Sequence, residues 1–439
     1  MTSKDRQGTV GPSSQGNPAV SSEPNAPPQG GDSRPHLGRP TISRSGPNDE
    51  PDDDEDDEGN YNDDDNDDFS SVSTDDEPPL IHAYGHTYHG SGRILTPNDE
   101  SERARLDIQH NLFKACLDGR LTRAHLDATR PLSILDVGAG TGLWAVEMAQ
   151  RHPRARIRAV DLSAALLPTA VPPNVVFEIV DAAEPWAPLG GEKAAGAGLD
   201  FVHVRNLVGG GVRDFRALYA QALRRLRPGG QIEVAEVRPR WFHFEEDVGD
   251  EEDLDRPLFT SRQGTEQEGS GGTETTTVAA ALEQLRLAGG EGEEDSCRAF
   301  RQLEIYTKYF SEQLGVDMDP IPKVRRWLRD VGFEKIVEMS DLVPIKPVGG
   351  DEKMRRKGAL VSQMIEYGLW SLQSFPAPST SLTAGMIGIE NFTLALFVKG
   401  GLPECEARTL LERVRRGLRN ASFQAYMKVT FITARKPLQ

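Results

Sequence analysis

Residues 131–163 read PLSILDVGAGTGLWAVEMAQRHPRARIRAVDLS, and the order of residue types within them decides the fold. Leu132–Val137 make a short apolar run broken by Asp136, Gly138, Gly140 and Gly142 follow, and Trp144, Ala145, Met148 and Ala149 then recur on one helical face. A strand, a glycine loop and a helix are expected in that order. Glycine removes Cβ where the chain must turn tightly or approach a ligand, and a helix start presents free N–H groups to bound polar atoms. A second strand, Ala155–Val160, ends at Asp161, where a carboxylate can accept both hydroxyl protons of a ribose.

The acids decide which adenosine ligand suits the loop. Asp136 directly before the glycines would repel a pyrophosphate but suits a cationic amino group. S-adenosylmethionine has an amino group and a ribose and lacks a pyrophosphate, so it is favoured, with a nicotinamide-dependent oxidoreductase as the minor alternative. Val175–Val180 is a third strand whose end presents Asp181, Ala182, Glu184 and Trp186. An acid there, or its neighbouring amide, can read the adenine amino group. The plain alternative is a strand end before a Pro-containing turn, with Trp186 in the core.

Working outward, LDFVHVRN (199–206) is another strand, and Phe215, Leu218, Tyr219, Ala222, Leu223 and Leu226 form the inner stripe of a helix over about 213–226. Pro228, Gly229 and Gly230 mark a turn before the strand that follows. Repeated βα units imply a largely parallel sheet whose ligand loops gather at the carboxyl ends of the strands. Arg205, Asn206 and Glu236 fall near such ends and face either the cleft or the surface. Further on, 297–315 and 320–332 read as helices, 333–345 and Tyr426–Ala434 as strands. Between these strands, Met354–Leu372, 389–399 and Pro403–Leu418 read as helices that wall the site. Met364, Tyr367, Trp370 and Phe375 are core or substrate contacts on equal terms.

The 439 residues carry a net charge of -18, but residues 1–78 hold 20 acids against 5 bases, leaving 48 acids against 45 bases for the remainder. The acidity belongs to a Gly-, Pro- and Ser-rich tail with little to bury, expected to be disordered and to act as a solubilising or docking arm. No basic field favours nucleic acid. Cys116, Cys297 and Cys405 are far apart and suggest neither disulfides nor a zinc site. No signal-like or membrane-spanning apolar run is present, so a cytoplasmic or nuclear location is expected. The expected layout is a tail to 78, a helical cap over 79–130 with a helix at 99–117, a cofactor core over 131–240, an acidic flexible insertion over 241–296 and substrate-side helices with the end of the sheet over 297–439. His82, His86 and His89 have ligand-like spacing but lie in a glycine-containing loop without acidic or thiol partners, which argues against metal.

These motifs resemble the class I S-adenosylmethionine-dependent methyltransferases, and more narrowly the fungal LaeA-like family associated with secondary metabolism. The likeness covers about 80–437 and is carried by YHG (88–90), PNDESERARLDIQH (97–110), LDVGAGTGLWAVEMA (135–149), VDLS (160–163), 171–186, RPGGQIEVAE (227–236) and ARKPL (434–438). The resemblance implies a Rossmann-like sheet of seven strands with the last antiparallel. It further implies that Asp136, Gly138, Ala139 and Gly140 shape the methionine end of the pocket, that Asp161 with Leu162 reads the ribose, and that Asp181 with Ala182 lies by the adenine. Arg205 joins them as a cofactor contact. The acidic tail and the insertion depart from the family pattern.

Methyl transfer needs an acceptor aligned opposite the departing sulfur and water kept out. An oxygen acceptor needs a base, for which His110, His203 and Glu236 are candidates. The expected acceptor is a small secondary metabolite or a regulatory protein partner. A nuclear cofactor-binding scaffold with weak or no turnover is the alternative.

Overall fold

A computed structural model describes residues 78–186, 198–238, 293–349, 351–366, 388–420 and 423–438. The acidic tail before 78, most of the insertion with its helical pattern at 278–287, and Tyr367, Trp370 and Phe375 lie outside the described residues. Chain contacts separate 1–63 from 64–439, and all described residues belong to the second unit.

Apolar β-rich segments of five to twelve residues, each bounded by turn residues, pair into one seven-stranded sheet. Its strands are β3 (Ser133–Val137), β4 (Arg156–Asp161), β5 (Val175–Ile179), β6 (Leu199–Arg205), β7 (Leu226–Val237), β8 (Glu334–Pro344) and β9 (Tyr426–Arg435), in the spatial order β5-β4-β3-β6-β7-β9-β8. β3, β4, β5, β6 and β7 pair in parallel. β9 enters between β7 and β8 and runs antiparallel to both. This is the Rossmann-like class I arrangement, with the last strand reversed. The order turns at β3, the switch point where the sheet builds outward in two directions and leaves a crevice for a ligand.

Helices cover both faces. α1 (Glu100–Cys116) is capped by Asp99, whose carboxylate accepts from Glu102 N, with Glu100 and Glu102 in its first turn and Lys114 in its last. α2 (Leu143–Arg151) follows the glycine loop and buries Trp144, Ala145, Met148 and Ala149, the stripe read from the sequence. α3 (Phe215–Arg225) packs on α5 (Ile321–Val331), where Phe215 and Trp327 stack. α4 (Glu293–Gln313), α6 (Glu352–Glu366), α7 (Gly388–Lys399) and α8 (Glu404–Arg419) form the helical layer over the far half of the sheet. Their core joins Phe300, Phe310, Leu396, Phe397 and Leu411 to Phe431 of β9 and to Phe113 of α1. Phe113 and Phe431 meet edge to face at 5.6 Å.

Two local readings are corrected. The segment read as a loop around the histidines is a hairpin, β1 (Ile81–Ala83) with β2 (His86–Tyr88), turned by Tyr84 and Gly85, both at positive φ. Two left-handed central residues make the turn type whose twist matches paired strands, and a tyrosine at the first of them gives no composition signal. The Pro228–Gly230 turn lies within β7 as an outward bulge: pairing with β6 skips from Leu199↔Leu226 to Phe201↔Gln231.

Candidate functional site

At the carboxyl ends of β3, β4, β5 and β6 lies a cavity of about 280 Å³. The glycine loop makes its floor. Gly138 and Gly140 have φ of 74° and 57°, and the amides of Gly138 and Ala139 donate to the Val160 carbonyl at 2.9 and 3.0 Å. The φ of Gly138 is one that residues with a Cβ rarely adopt, and a Cβ there would also meet Leu207 Cδ2 at 2.2 Å, so glycine suits that bend. The loop is thereby sewn to the end of β4, beside Asp161. One Asp161 oxygen accepts from Gly140 N at 2.7 Å and the other from Ser163 N at 3.1 Å. Burial pushes the Asp161 carboxyl up to about 6, with the Asp136 charge adding to the rise and the backbone donors opposing it.

Most of the expected cofactor residues are brought together. Gly138, Ala139, Gly140, Asp161, Leu162 and Asp181 line the cavity, as do Ala182 and Arg205. Asn206 and Glu236 also face it. Asp136 does not. It sits in register with His203 across β3 and β6, so both side chains leave the sheet on the same face, and the Asp136 carboxylate holds His203 Nδ1 at 2.7 Å. Trp144 lies flat on the His203 ring, 3.7 Å between centroids. The Asp136 carboxylate, expected at the methionine end of the cofactor, is held in this buried pair, and the strand that supplies its partner cannot be read from the glycine motif.

The three candidate bases separate in the same way. His203 is 1% exposed, sealed under Trp144, and burial pushes its pKa down. His110 joins Glu147 through Nε2 at 3.1 Å and Arg205 through Nδ1 at 3.2 Å. Burial and the adjacent guanidinium push His110 to about 3, and neither histidine lines the cavity. Glu236 does. Its Oε1 accepts from Leu207 N at 2.9 Å, and burial pushes its carboxyl up to about 8. Trp186 likewise stays out of the wall: its indole N–H donates to the Ala182 carbonyl at 3.0 Å and its ring packs toward α3.

The sequence reading missed one wall. Asn98, Glu102, Arg105 and Gln109 recur at i, i+4, i+7 and i+11 and all face the cavity from α1 and the residues before it. They interrupt what would otherwise be an apolar stripe, continued by Leu112, Phe113 and Cys116. That run of buried polar residues at helical spacing was the available signal. Both side-chain amide atoms of Asn98, 8% exposed, lack a hydrogen-bond partner among the described residues. Such atoms lose their hydration and stay costly until a ligand or water meets them.

The strip before α1 covers the same cavity. Leu95 N donates to the Gly209 carbonyl at 2.9 Å, Arg93 donates to the Asp181 carboxylate, and Lys399 Nζ ties α7 to the Gly92 carbonyl at 2.9 Å. His86 binds the Asp99 cap at 2.7 Å and His89 binds Ser91 at 2.8 Å, so both serve the strip's folding. Among the described residues no group of histidine, cysteine, aspartate or glutamate could hold a metal ion.

The donor set fits S-adenosylmethionine. A carboxylate hydrogen-bonded to the glycine loop stands at the end of β4 and a second stands at the end of β5. The orphaned Asn98 amide and the φ-positive glycine cradle supply room and hydrogen bonds without a cluster of cations suited to a pyrophosphate. Fold and site together define a Rossmann-like methyltransferase of class I that uses S-adenosyl-L-methionine. A family described as "Methyltransferase domain" matches residues 108–338, and the chain belongs to it. Methyltransferase pytC of Aspergillus terreus is 27% identical over 361 residues, covering 81% of this chain and 88% of that protein. The secondary metabolism regulator LAE1 of Cochliobolus heterostrophus is 36% identical over 159 residues, 35% of this chain and 49% of the regulator. Among solved structures, phosphoethanolamine N-methyltransferase 2 of Haemonchus contortus, in complex with S-adenosyl-L-methionine, aligns at 15% identity over 76% of this chain and 52% of its own, with a TM-score of 0.31. The protein is thus related to fungal methyltransferases of the LaeA and pytC kind.

Proposed function

We propose that this methyltransferase acts on a small secondary metabolite, in the cytoplasm or nucleus, and that the acceptor enters the helix-walled end of the cavity. The supporting observation is that the cavity continues past the glycine loop to Val208, Leu303, Glu304, Thr307, Met364, Thr393 and Met427, a surface of methyl, thioether and hydroxyl groups with one carboxyl among them. A mostly apolar wall with a few fixed polar groups suits a small organic acceptor.

When bound, S-adenosylmethionine supplies an electrophilic methyl group. The chain's residues divide the remaining work. Asp161 and Leu162 hold the ribose, Asp181 and Ala182 the adenine, and the Gly138–Gly140 loop the methionine end. α1, α4, α6 and the strip before α1 exclude water and orient the acceptor. Glu236 is the one sequence-derived base that faces the cavity, and in its ionised form, which gains population as pH rises toward 8, it takes the proton of an oxygen acceptor.

A regulatory protein acceptor is the second reading, favoured by the 37% identity over 158 residues to the protein-methionine methyltransferase laeA of Emericella nidulans. One experiment separates the two. Purified protein is incubated with isotope-labelled S-adenosylmethionine and with extracts of cells lacking or carrying the gene, and label is sought in metabolites and proteins by mass spectrometry. Protein-dependent label in a small molecule is expected. Label confined to polypeptides would overturn the metabolite reading, and no protein-dependent label in either fraction would favour a cofactor-binding scaffold.

A further inference from the structure

The glycine loop explains how the cavity takes an adenosine, but not what meets the carboxylate at the other end of S-adenosylmethionine. A carboxylate removed from water needs a cation or several donors. Among the described residues of the wall the cations are Arg105 and Arg205. Arg205 is turned toward the sheet-side core: its guanidinium reaches His110 Nδ1 and lies 5.1 Å over the Phe113 ring. Arg105 is differently placed. Its Nε and Nη2 donate to the two oxygens of Glu102 at 2.8 and 2.7 Å, and Nη1 has no partner among the described residues. Leu106, the next residue, lies 3.6 Å from where a Cβ on Gly140 would stand, so this turn of α1 rests on the loop.

We infer that Arg105 receives the α-carboxylate of the methionine moiety through Nη1, with Glu102 as the positioning residue that fixes the guanidinium plane. The inference rests on the S-adenosylmethionine reading of the site. Glu102 is 1% exposed and meets the guanidinium through both of its oxygens, so the fork is in place before ligand arrives. Guanidinium geometry suits this task because two donors can be spent on one carboxylate while the remaining edge meets another. The neighbouring Asn98 amide, buried and unpartnered, adds a hydrogen-bonding group to the same wall. The pair also explains the polar break in the buried stripe of α1: without a charged ligand, apolar residues at 102 and 105 would pack this helix at lower cost.

A carboxylate could belong to the cofactor or to an acidic acceptor, and binding measured without any acceptor distinguishes them. S-adenosylmethionine and 5′-methylthioadenosine, which shares the adenosine but lacks the amino-acid end, are titrated calorimetrically into wild type, Arg105→Gln and Arg105→Lys. The expected result is that Arg105→Gln weakens S-adenosylmethionine by about 10- to 100-fold, the usual effect of losing a charged hydrogen bond, while 5′-methylthioadenosine changes less than about 3-fold. Arg105→Lys, which keeps the charge and lacks the fork, is expected to fall between. Circular dichroism melting confirms that each variant is folded, and Glu102→Gln, which keeps the side-chain size, supplies a second perturbation of the same fork if Arg105→Gln does not fold. Equal losses for both ligands, or no loss for either, would overturn the assignment. Failure of wild type to bind S-adenosylmethionine would instead overturn the cofactor reading on which it stands.

Discussion

Arg93 and Asp181 join the strip before α1 to the end of β5, an ion pair between residues 88 positions apart. It closes the strip over the end of the cavity beside β5, where Ile94 and Ala182 also face inward. Both side chains are partly exposed, so the pair is worth at most about 1 kcal/mol. Arg93→Ala should therefore speed release of S-adenosylmethionine by up to about five-fold in stopped-flow dissociation, with little change in the melting midpoint. An unchanged release rate would show that the strip is held by its backbone bonds alone.

Asp161 gives the cofactor affinity a pH dependence of definite sign. Its carboxyl titrates at about 6 in the folded protein, and the ribose hydroxyls need the ionised form as acceptor. Affinity should be full above this value and fall as pH drops through about 6. Asp161→Asn should lose about 10-fold or more at pH 7.5 and show no inflection near that value, measured by calorimetry across the range.

The buried pair of Asp136 and His203 is a stability element. Asp136→Ala leaves the buried His203 Nδ1 without its hydrogen-bond partner, which costs about 2 to 3 kcal/mol, so it should lower the urea midpoint markedly. Asp136→Asn retains an oxygen to accept from His203 Nδ1 and should cost less, about 1 kcal/mol. Equal, small effects for the two variants would mean that His203 finds another acceptor.

Much of this was legible in the sequence, and the limits fall at particular residues. Alternation and helical spacing gave β3, β4, β5, β6, β8, β9 and the helices within a few residues, because those periods arise from burial on one face. The glycine loop and Asp161 were legible because their geometry is local to one βα unit. The pairing of Asp136 was not legible because its partner, His203, comes from a neighbouring strand. His110 was placed near the chemistry on residue type, whereas burial beside Arg205 turns it into a neutral structural group. Asn98 and Arg105 were overlooked because a polar residue on an amphipathic helix reads as surface until the cavity is seen.

Three buried acids give the fold its own pH dependence. Asp161, Glu233 and Glu236 are pushed up to about 6, 7 and 8. A raised folded pKa means that the native state holds protons which the unfolded chain has released. As far as these groups are concerned, stability should be greatest below the ordinary carboxyl values of 3.8 to 4.5, decline as pH rises from there to about 8, and level off above. Glu236→Gln keeps the acceptor for Leu207 N and should flatten the last part of that decline in denaturation midpoints taken at half-unit steps. The same variant should lower turnover of an oxygen acceptor while leaving cofactor affinity nearly intact.

β9, residues 426–435, is threaded between β7 and β8 and is hydrogen-bonded to both. During synthesis the glycine loop, its two acids and four parallel neighbours can assemble early, since their contacts lie within residues 133–237. The acceptor end cannot, because β8 has no partner in the sheet until β9 emerges. A nascent chain would thus acquire the ground for holding the methyl donor before it has a closed chamber in which to spend the methyl group.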